Sequence, residues 1–273
     1  MARGPHPGFG APAMLTLPLA GTLVAIGFVG AFVSGLVGVG GAIVLIPLLF
    51  YVPPLLGVGG LDIRDVAGVT MAQVLAASAL GAWTHGRRSV VHRELALTAG
   101  PAMAVATFVG AIGSRYVGSR ALLGIFALMT TVALPLMFVP ARRGWTEAAG
   151  WTLHRGQALA YPAFIGLMSG LVGAGGAFLL VPVLMGAMHV PLRIAIGTSL
   201  AITTMSAATG FLGKLLTGQV LLWPSAAVVL GSLPGAPLGA RLSRRAPPAL
   251  LRGVLAALIA ATAIRVWIDV LFH

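Results

Sequence analysis

Apolar stretches free of charge alternate along this chain with short loops rich in arginine. Runs at 66–84, 95–114, 121–140, 194–213 and 220–240 contain no charged side chain. Each is close to the ~20 residues that a helix needs to cross the hydrocarbon core of a bilayer. A sixth run covers 17–37, and a seventh, 253–272, carries Arg265 and Asp269 one helical turn apart near its end. Two shorter apolar segments, 42–51 and 176–188, follow glycine-rich stretches. The pattern predicts an all-α integral membrane protein. Residues 1–14, rich in Gly and Pro, read as a flexible tail. Arg3 followed by an apolar run superficially resembles a secretory signal, but the small-residue triplet at 11–13 precedes the run. The segment 17–37 is therefore expected to be a retained helix.

The apolar pattern is duplicated. The octapeptide SGLVGVGG at 34–41 returns as SGLVGAGG at 169–176, with one difference, and a proline follows the last glycine by six residues in both copies, at Pro47 and Pro182. Further on, 64–70 aligns with 193–199 at an offset of 129, and 113–115 with 239–241 at an offset of 126. The shrinking offset places a loop insertion near 53–60 of the first half. The segments are then a first transmembrane repeat at 15–140, a basic cytoplasmic connector at 141–156 and a second repeat at 157–273.

Whether the two short segments cross the membrane decides the topology. With five crossings per half the second repeat is inverted, and with four the halves run parallel. The 17 Lys and Arg residues separate 11 to 6 between the two sides under five crossings, but 9 to 8 under four. Basic residues concentrate on the cytoplasmic side of membrane proteins, so the first arrangement is expected, with both termini outside the cytoplasm. The fold expected is two inverted repeats of about five helical segments each, containing glycine-broken or half helices.

Composition narrows the class. The chain is 58% hydrophobic and 8% charged, with a mean hydropathy of +1.01. Such a surface belongs in lipid rather than water. The net charge of +12 raises the possibility of nucleic acid, yet no basic stripe or aromatic stacking platform accompanies it. The five acidic residues, Asp62, Asp65, Glu94, Glu147 and Asp269, fall mainly in loops or at helix ends, which argues against carboxylate ion sites in the core. Zero cysteines exclude disulfides and thiolate chemistry. Hydrolase and nucleotide-binding motifs are missing too, so no enzyme chemistry and no cofactor are expected.

Glycines at this density predict breaks in the helices at membrane depth. In transporters built from inverted repeats, the substrate lies near the midplane where broken helices meet, with half-helix N-termini facing anionic groups. The candidate backbone nests are Gly38, Gly40, Gly41 and Ala42 in one half and Gly173, Gly175, Gly176 and Ala177 in the other, since successive N–H groups can cradle an anion. The alternative is that Gly35, Gly38, Gly170 and Gly173 only allow close helix packing. Ser199, Thr203 and Ser206 share one helix face, and the counterpart helix offers Thr70 and Gln73. These could complete an oxyanion site, or bond back to their own helix carbonyls. His85 and Lys214 are repeat-equivalent and could attract an anion at opposite mouths or gate its passage, or else snorkel to the interface as helix-end residues do.

The duplicated SGLVGxGG with its following proline, and Gly-Thr-Ser at 197–199, resembles the sulfite-exporter family TauE/SafE over nearly the whole chain. Ala42 and Ala177 replace a third glycine found in many relatives, and the first half reads Gly68-Val69-Thr70 instead of Gly-Thr-Ser. The resemblance implies a permease of the cytoplasmic (inner) membrane that exports or imports sulfite or an organosulfonate such as sulfoacetate. The expected function is secondary transport of a small sulfur-containing anion by alternating access. An anion channel and a non-transporting membrane enzyme or assembly subunit are the alternatives. A homodimer is possible, and no metal site is expected.

Overall fold

In the computed structural model the described residues are 17–37, 41–86, 91–138 and 155–272. Ten α-helices account for them almost entirely, with no strand among the described residues. The first half holds α1 (Leu17–Val37), α2 (Ala42–Leu55), α3 (Ile63–Gly86), α4 (Arg93–Gly113) and α5 (Ser119–Phe138). The second holds α6 (Arg155–Val172), α7 (Ala177–Gly186), α8 (Leu192–Leu216), α9 (Leu222–Arg245) and α10 (Pro248–Phe272). Six of these, α1, α3, α4, α5, α8 and α10, contain a stretch long and apolar enough to cross a membrane. The all-α membrane class is therefore as expected, and each charge-free run falls mainly on a helix among the described residues.

One detail differs from the sequence reading. α2 continues through Pro53 and Pro54 to Leu55, so part of the predicted loop insertion is an extra helical turn. Pro53 and Pro54 bring no N–H to the helix ladder, and the turn closes through Leu56 N–H to the Val52 carbonyl at 3.0 Å. The tail at 1–14 and nearly all of the 141–156 connector lie outside the described residues.

Packing relates the halves by exchange. α1 packs on α9 and α6 on α4, while α3 packs on α9 and α8 on α4. α3 meets α8 and α5 meets α10, each helix opposite its own repeat equivalent. Glycine makes the α1–α9 seam possible. A Cβ at Gly35 would strike the Ala236 carbonyl, and one at Gly239 the carbonyl of Phe32. A Cβ at Gly170 would likewise strike the Thr107 carbonyl in the α4–α6 seam. For Gly35 and Gly170 the packing reading therefore holds: they let backbones touch.

Directions follow from the contacts. α3 and α8 run antiparallel, with Met71 beside Gly210, Ser78 bonded to Thr204 at 3.2 Å, and Gly81 beside Leu200. α1 runs parallel to α9, and α4 parallel to α6. The two short helices start inside the bundle and leave toward opposite ends. α2 begins at Gly41, against the middle of α1 at Gly30, and reaches Tyr51 beside Arg265 in the last two turns of α10. α7 begins against Ile165 and Met103 and ends at Gly186 against Leu136, near the end of α5. At 1.5 Å per residue, α2 spans about 21 Å and α7 about 15 Å, so neither crosses the hydrocarbon core as helix alone.

Candidate functional site

Each short helix starts from a glycine in the left-handed region. Gly41 (φ 78°) caps α2 and Gly176 (φ 77°) caps α7, with no side-chain cap at either. A residue with a Cβ would pay roughly 1–2 kcal/mol for that conformation. Space forbids it as well, since a Cβ at Gly41 would lie 2.5 Å from the Gly30 carbonyl oxygen, and one at Gly176 2.9 Å from Ser169 Oγ. The motif therefore serves two purposes: its first glycine fits a seam, and its last reverses the chain.

The second break has two further left-handed glycines, Gly173 (φ 81°) and Gly175 (φ 63°). Its amides are not all available. Gly173 and Ala174 donate to the Ser169 carbonyl at 2.8 and 3.0 Å, extending the end of α6. The predicted nest narrows to Gly175, Gly176 and Ala177, at the start of α7, where the first N–H groups have no acceptor within their own helix. Every residue of α7 is buried, so this positive helix end points into the protein interior. Gly38 and Gly40 lie outside the described residues; Gly41 and Ala42 represent the first nest.

One stretch of α3 touches both breaks. Ala67 closes on Gly173, Val74 on Gly175, and Gln73 Nε2 lies 3.0 Å from where a Gly41 Cβ would be. Thr203 of α8 approaches from the other side, its Cγ2 3.5 Å from a Gly175 Cβ. Gln73, Thr70 and Thr203 are fully buried. Among the described residues, Thr70 Oγ1, Thr203 Oγ1 and both polar atoms of Gln73 have no hydrogen-bond partner. An orphaned buried polar group costs about 1–3 kcal/mol, and buried polar groups in folded proteins nearly always find a partner. All four belong to α3 and α8, the helices that touch the breaks.

The rest of the predicted hydroxyl face resolves differently. Ser199 donates to the Ile196 carbonyl at 2.9 Å, which is the back-bonding alternative. Ser206 pairs with Thr107 at 2.7 Å, tying α8 to α4. Ser34, the first residue of the motif, is fully buried, and its Oγ has no partner among the described residues. Sequence reasoning passed over it because its counterpart Ser169 looks identical, yet Ser169 bonds the Gly166 carbonyl at 3.1 Å.

Lys214 is not at an exposed mouth. It is fully buried, and its Nζ donates to Ser114 Oγ (2.7 Å), Gln219 Oε1 (3.1 Å) and the Leu171 carbonyl (3.2 Å). All three ammonium donors are used, so the side chain has no reason to snorkel. The acceptors come from the end of α4, the turn after α8 and the last turn of α6. Nearby, Arg64 donates to the Val117 carbonyl at 2.8 Å, and its Nε is buried without a partner. Neither Ser114 nor Gln219 could be picked from sequence, since nothing marks them apart from other polar residues at helix ends. His85 lies on α3, and its side chain is outside the described residues. No group of three or more His, Cys, Asp or Glu that could hold a metal occurs among the described residues.

The family model for "Sulfite exporter TauE/SafE" matches residues 23–266. A protein named "Probable membrane transporter protein YdhB" from Bacillus subtilis is 24% identical over 240 residues, covering 85% of this chain and 94% of the relative. A second B. subtilis relative, "Probable membrane transporter protein YunE", is 25% identical over 82% of this chain and 88% of its own length. A "Probable membrane transporter protein" from Xylella fastidiosa is 31% identical over 88% of this chain and 91% of the relative. No solved structure matches.

Proposed function

The chain belongs to the sulfite exporter TauE/SafE family of membrane transporters, and from that membership and the glycine-break geometry we propose that it is a secondary transporter of a small sulfur-containing anion. Sulfite or an organosulfonate such as sulfoacetate is the substrate class this reading favours, and export the favoured direction. The observation that carries the proposal is the set of unpartnered buried donors on Thr70, Gln73 and Thr203 beside the left-handed glycines Gly41 and Gly175. A hydroxyl or amide donor and an exposed helix amide bind an oxyanion without burying a fixed charge. The candidate binding set is accordingly Gly41, Ala42, Gly175, Gly176, Ala177, Thr70, Gln73 and Thr203.

Alternating access by rocking one repeat against the other follows from two inverted repeats. Several contacts support the inversion. Repeat-equivalent α3 and α8 are antiparallel, and α2 and α7 leave the centre toward opposite ends. The start of α3 meets the end of α4 through the bond from Arg64 to Val117, and Lys214 at the end of α8 bonds Ser114 there too. A four-crossing arrangement would set Arg64 and Lys214 on opposite sides of the membrane. With this end as the arginine-poor side, the termini face away from the cytoplasm of an inner-membrane protein.

Flux into proteoliposomes of sulfite, sulfoacetate, thiosulfate and sulfate tests the proposal. Saturable movement of a sulfur anion that drops sharply in Gln73→Leu supports it. If no anion moves, and Gly175→Leu leaves cellular resistance to sulfur anions unchanged, the transporter reading fails.

A further inference from the structure

A second polar site lies away from the glycine breaks, at the end of the bundle where α5 begins and α10 finishes. Arg120, Arg265, Asp269 and Tyr51 line a half-open cavity of about 440 Å³, with Phe50 and Leu123 supplying an apolar wall. Arg120 is in the first turn of α5, and Asp269 is in the last turn of α10. Both stand at the limits of membrane-spanning stretches, at the depth of lipid headgroups.

The charges there are only partly matched. Arg120 Nη2 donates to the Val270 carbonyl at 3.2 Å, and Arg265 stacks 4.4 Å above the Tyr51 ring. The pair between Arg265 and Asp269 Oδ1 is long, at 3.9 Å. Asp269 Oδ2 is buried with no donor among the described residues. A guanidinium carries five N–H donors, so two of them in one cavity have capacity for a phosphate, which they bind in a bidentate manner. The orphaned carboxylate oxygen asks for the opposite, a cationic N–H donor. An apolar wall beside the charges suits an acyl chain.

We propose that this cavity binds a phospholipid whose headgroup carries both a phosphate and a primary ammonium, that is, phosphatidylethanolamine. The phosphate lies between Arg120 and Arg265, the ammonium donates to Asp269 Oδ2, and the acyl chains run along Phe50 and Leu123. A purely anionic headgroup would satisfy the arginines but meet the carboxylate, and a quaternary choline would bring no N–H to it. The site shares no residue with the glycine-break site and stands independently of the transported substrate.

Native mass spectrometry of the purified, delipidated protein, titrated separately with phosphatidylethanolamine, phosphatidylglycerol, phosphatidylcholine and water-soluble phosphoethanolamine, tests the assignment. Phosphatidylethanolamine is expected to bind about tenfold more tightly than the other two lipids. Asp269→Asn should erase that preference while retaining phosphatidylglycerol binding, and Arg120→Gln with Arg265→Gln should weaken both lipids. Thermal melting of each variant confirms folding, and Arg265→Lys provides a milder variant that keeps the charge but loses the fork. Equal binding of all three lipids, or a preference indifferent to Asp269→Asn, overturns the proposal. Soluble phosphoethanolamine binding as tightly as the lipid would overturn the lipid as occupant.

Discussion

Gln73 has more hydrogen-bonding capacity than its surroundings use, and this gives the candidate site a test that separates function from stability. Removing a buried polar group that lacks a partner relieves a desolvation cost of about 1–3 kcal/mol instead of adding one. Thr70→Val and Thr203→Val, which keep the side-chain shape, are expected to leave the melting temperature in detergent unchanged or raised while reducing anion flux. A fall in melting temperature would mean that these hydroxyls serve the fold. Ser199→Ala is expected to leave flux nearly unchanged, because its hydroxyl is committed to the Ile196 carbonyl. The sequence identified Thr70, Gln73, Ser199 and Thr203 as one class of residue by helical spacing alone. Spacing gives the face of a helix but not the acceptor a hydroxyl finds, so Ser199 could not be told from Thr203, nor Ser34 from Ser169.

At the scale of elements, the breaks and the helix ends carry the structure. Gly175 combines a left-handed backbone with contact against Val74. Gly175→Ala is therefore expected to cost upward of 1–2 kcal/mol, measurable as lowered thermal stability, and to loosen the start of α7 against α3. The lysine clamp holds the last turn of α6, just before this break. Lys214→Met would leave Ser114, Gln219 and the Leu171 carbonyl facing a methyl group, with an expected loss of about 3 kcal/mol or more in denaturation of the solubilised protein. An unchanged stability would show that water replaces the ammonium. Helix positions were legible from the apolar runs, because a bilayer imposes length and composition together. The clamp was not, since its three acceptors come from segments far apart in the sequence and meet only through packing.

For the whole molecule, orientation is the open quantity and the chain is convenient for measuring it. With zero cysteines in the sequence, a single cysteine placed at Arg143 or Arg120 reports its side without background. Arg143 is expected to react with an impermeant reagent only from the cytoplasmic face and Arg120 only from the outer one. Reversal of both would invert the assignment of sides, and labelling of both from one face would break the five-crossing arrangement. Sequence alone separated the two topologies by a charge count, whereas the packing of Lys214 beside the end of α4 adds an argument from contact. The two short helices also differ in what surrounds them. Every residue of α7 is buried, while α2 ends in lipid- or water-facing Leu55 and Leu56. Two copies that began as one sequence have thus come to live under different tolerance: at 177–186 nearly any change of volume meets a neighbour on all sides, and at 54–60 it does not. A saturation-mutagenesis scan should find the second short helix nearly immutable and the end of the first permissive, so that divergence between the two copies accumulates at the end of the first short helix rather than in the second.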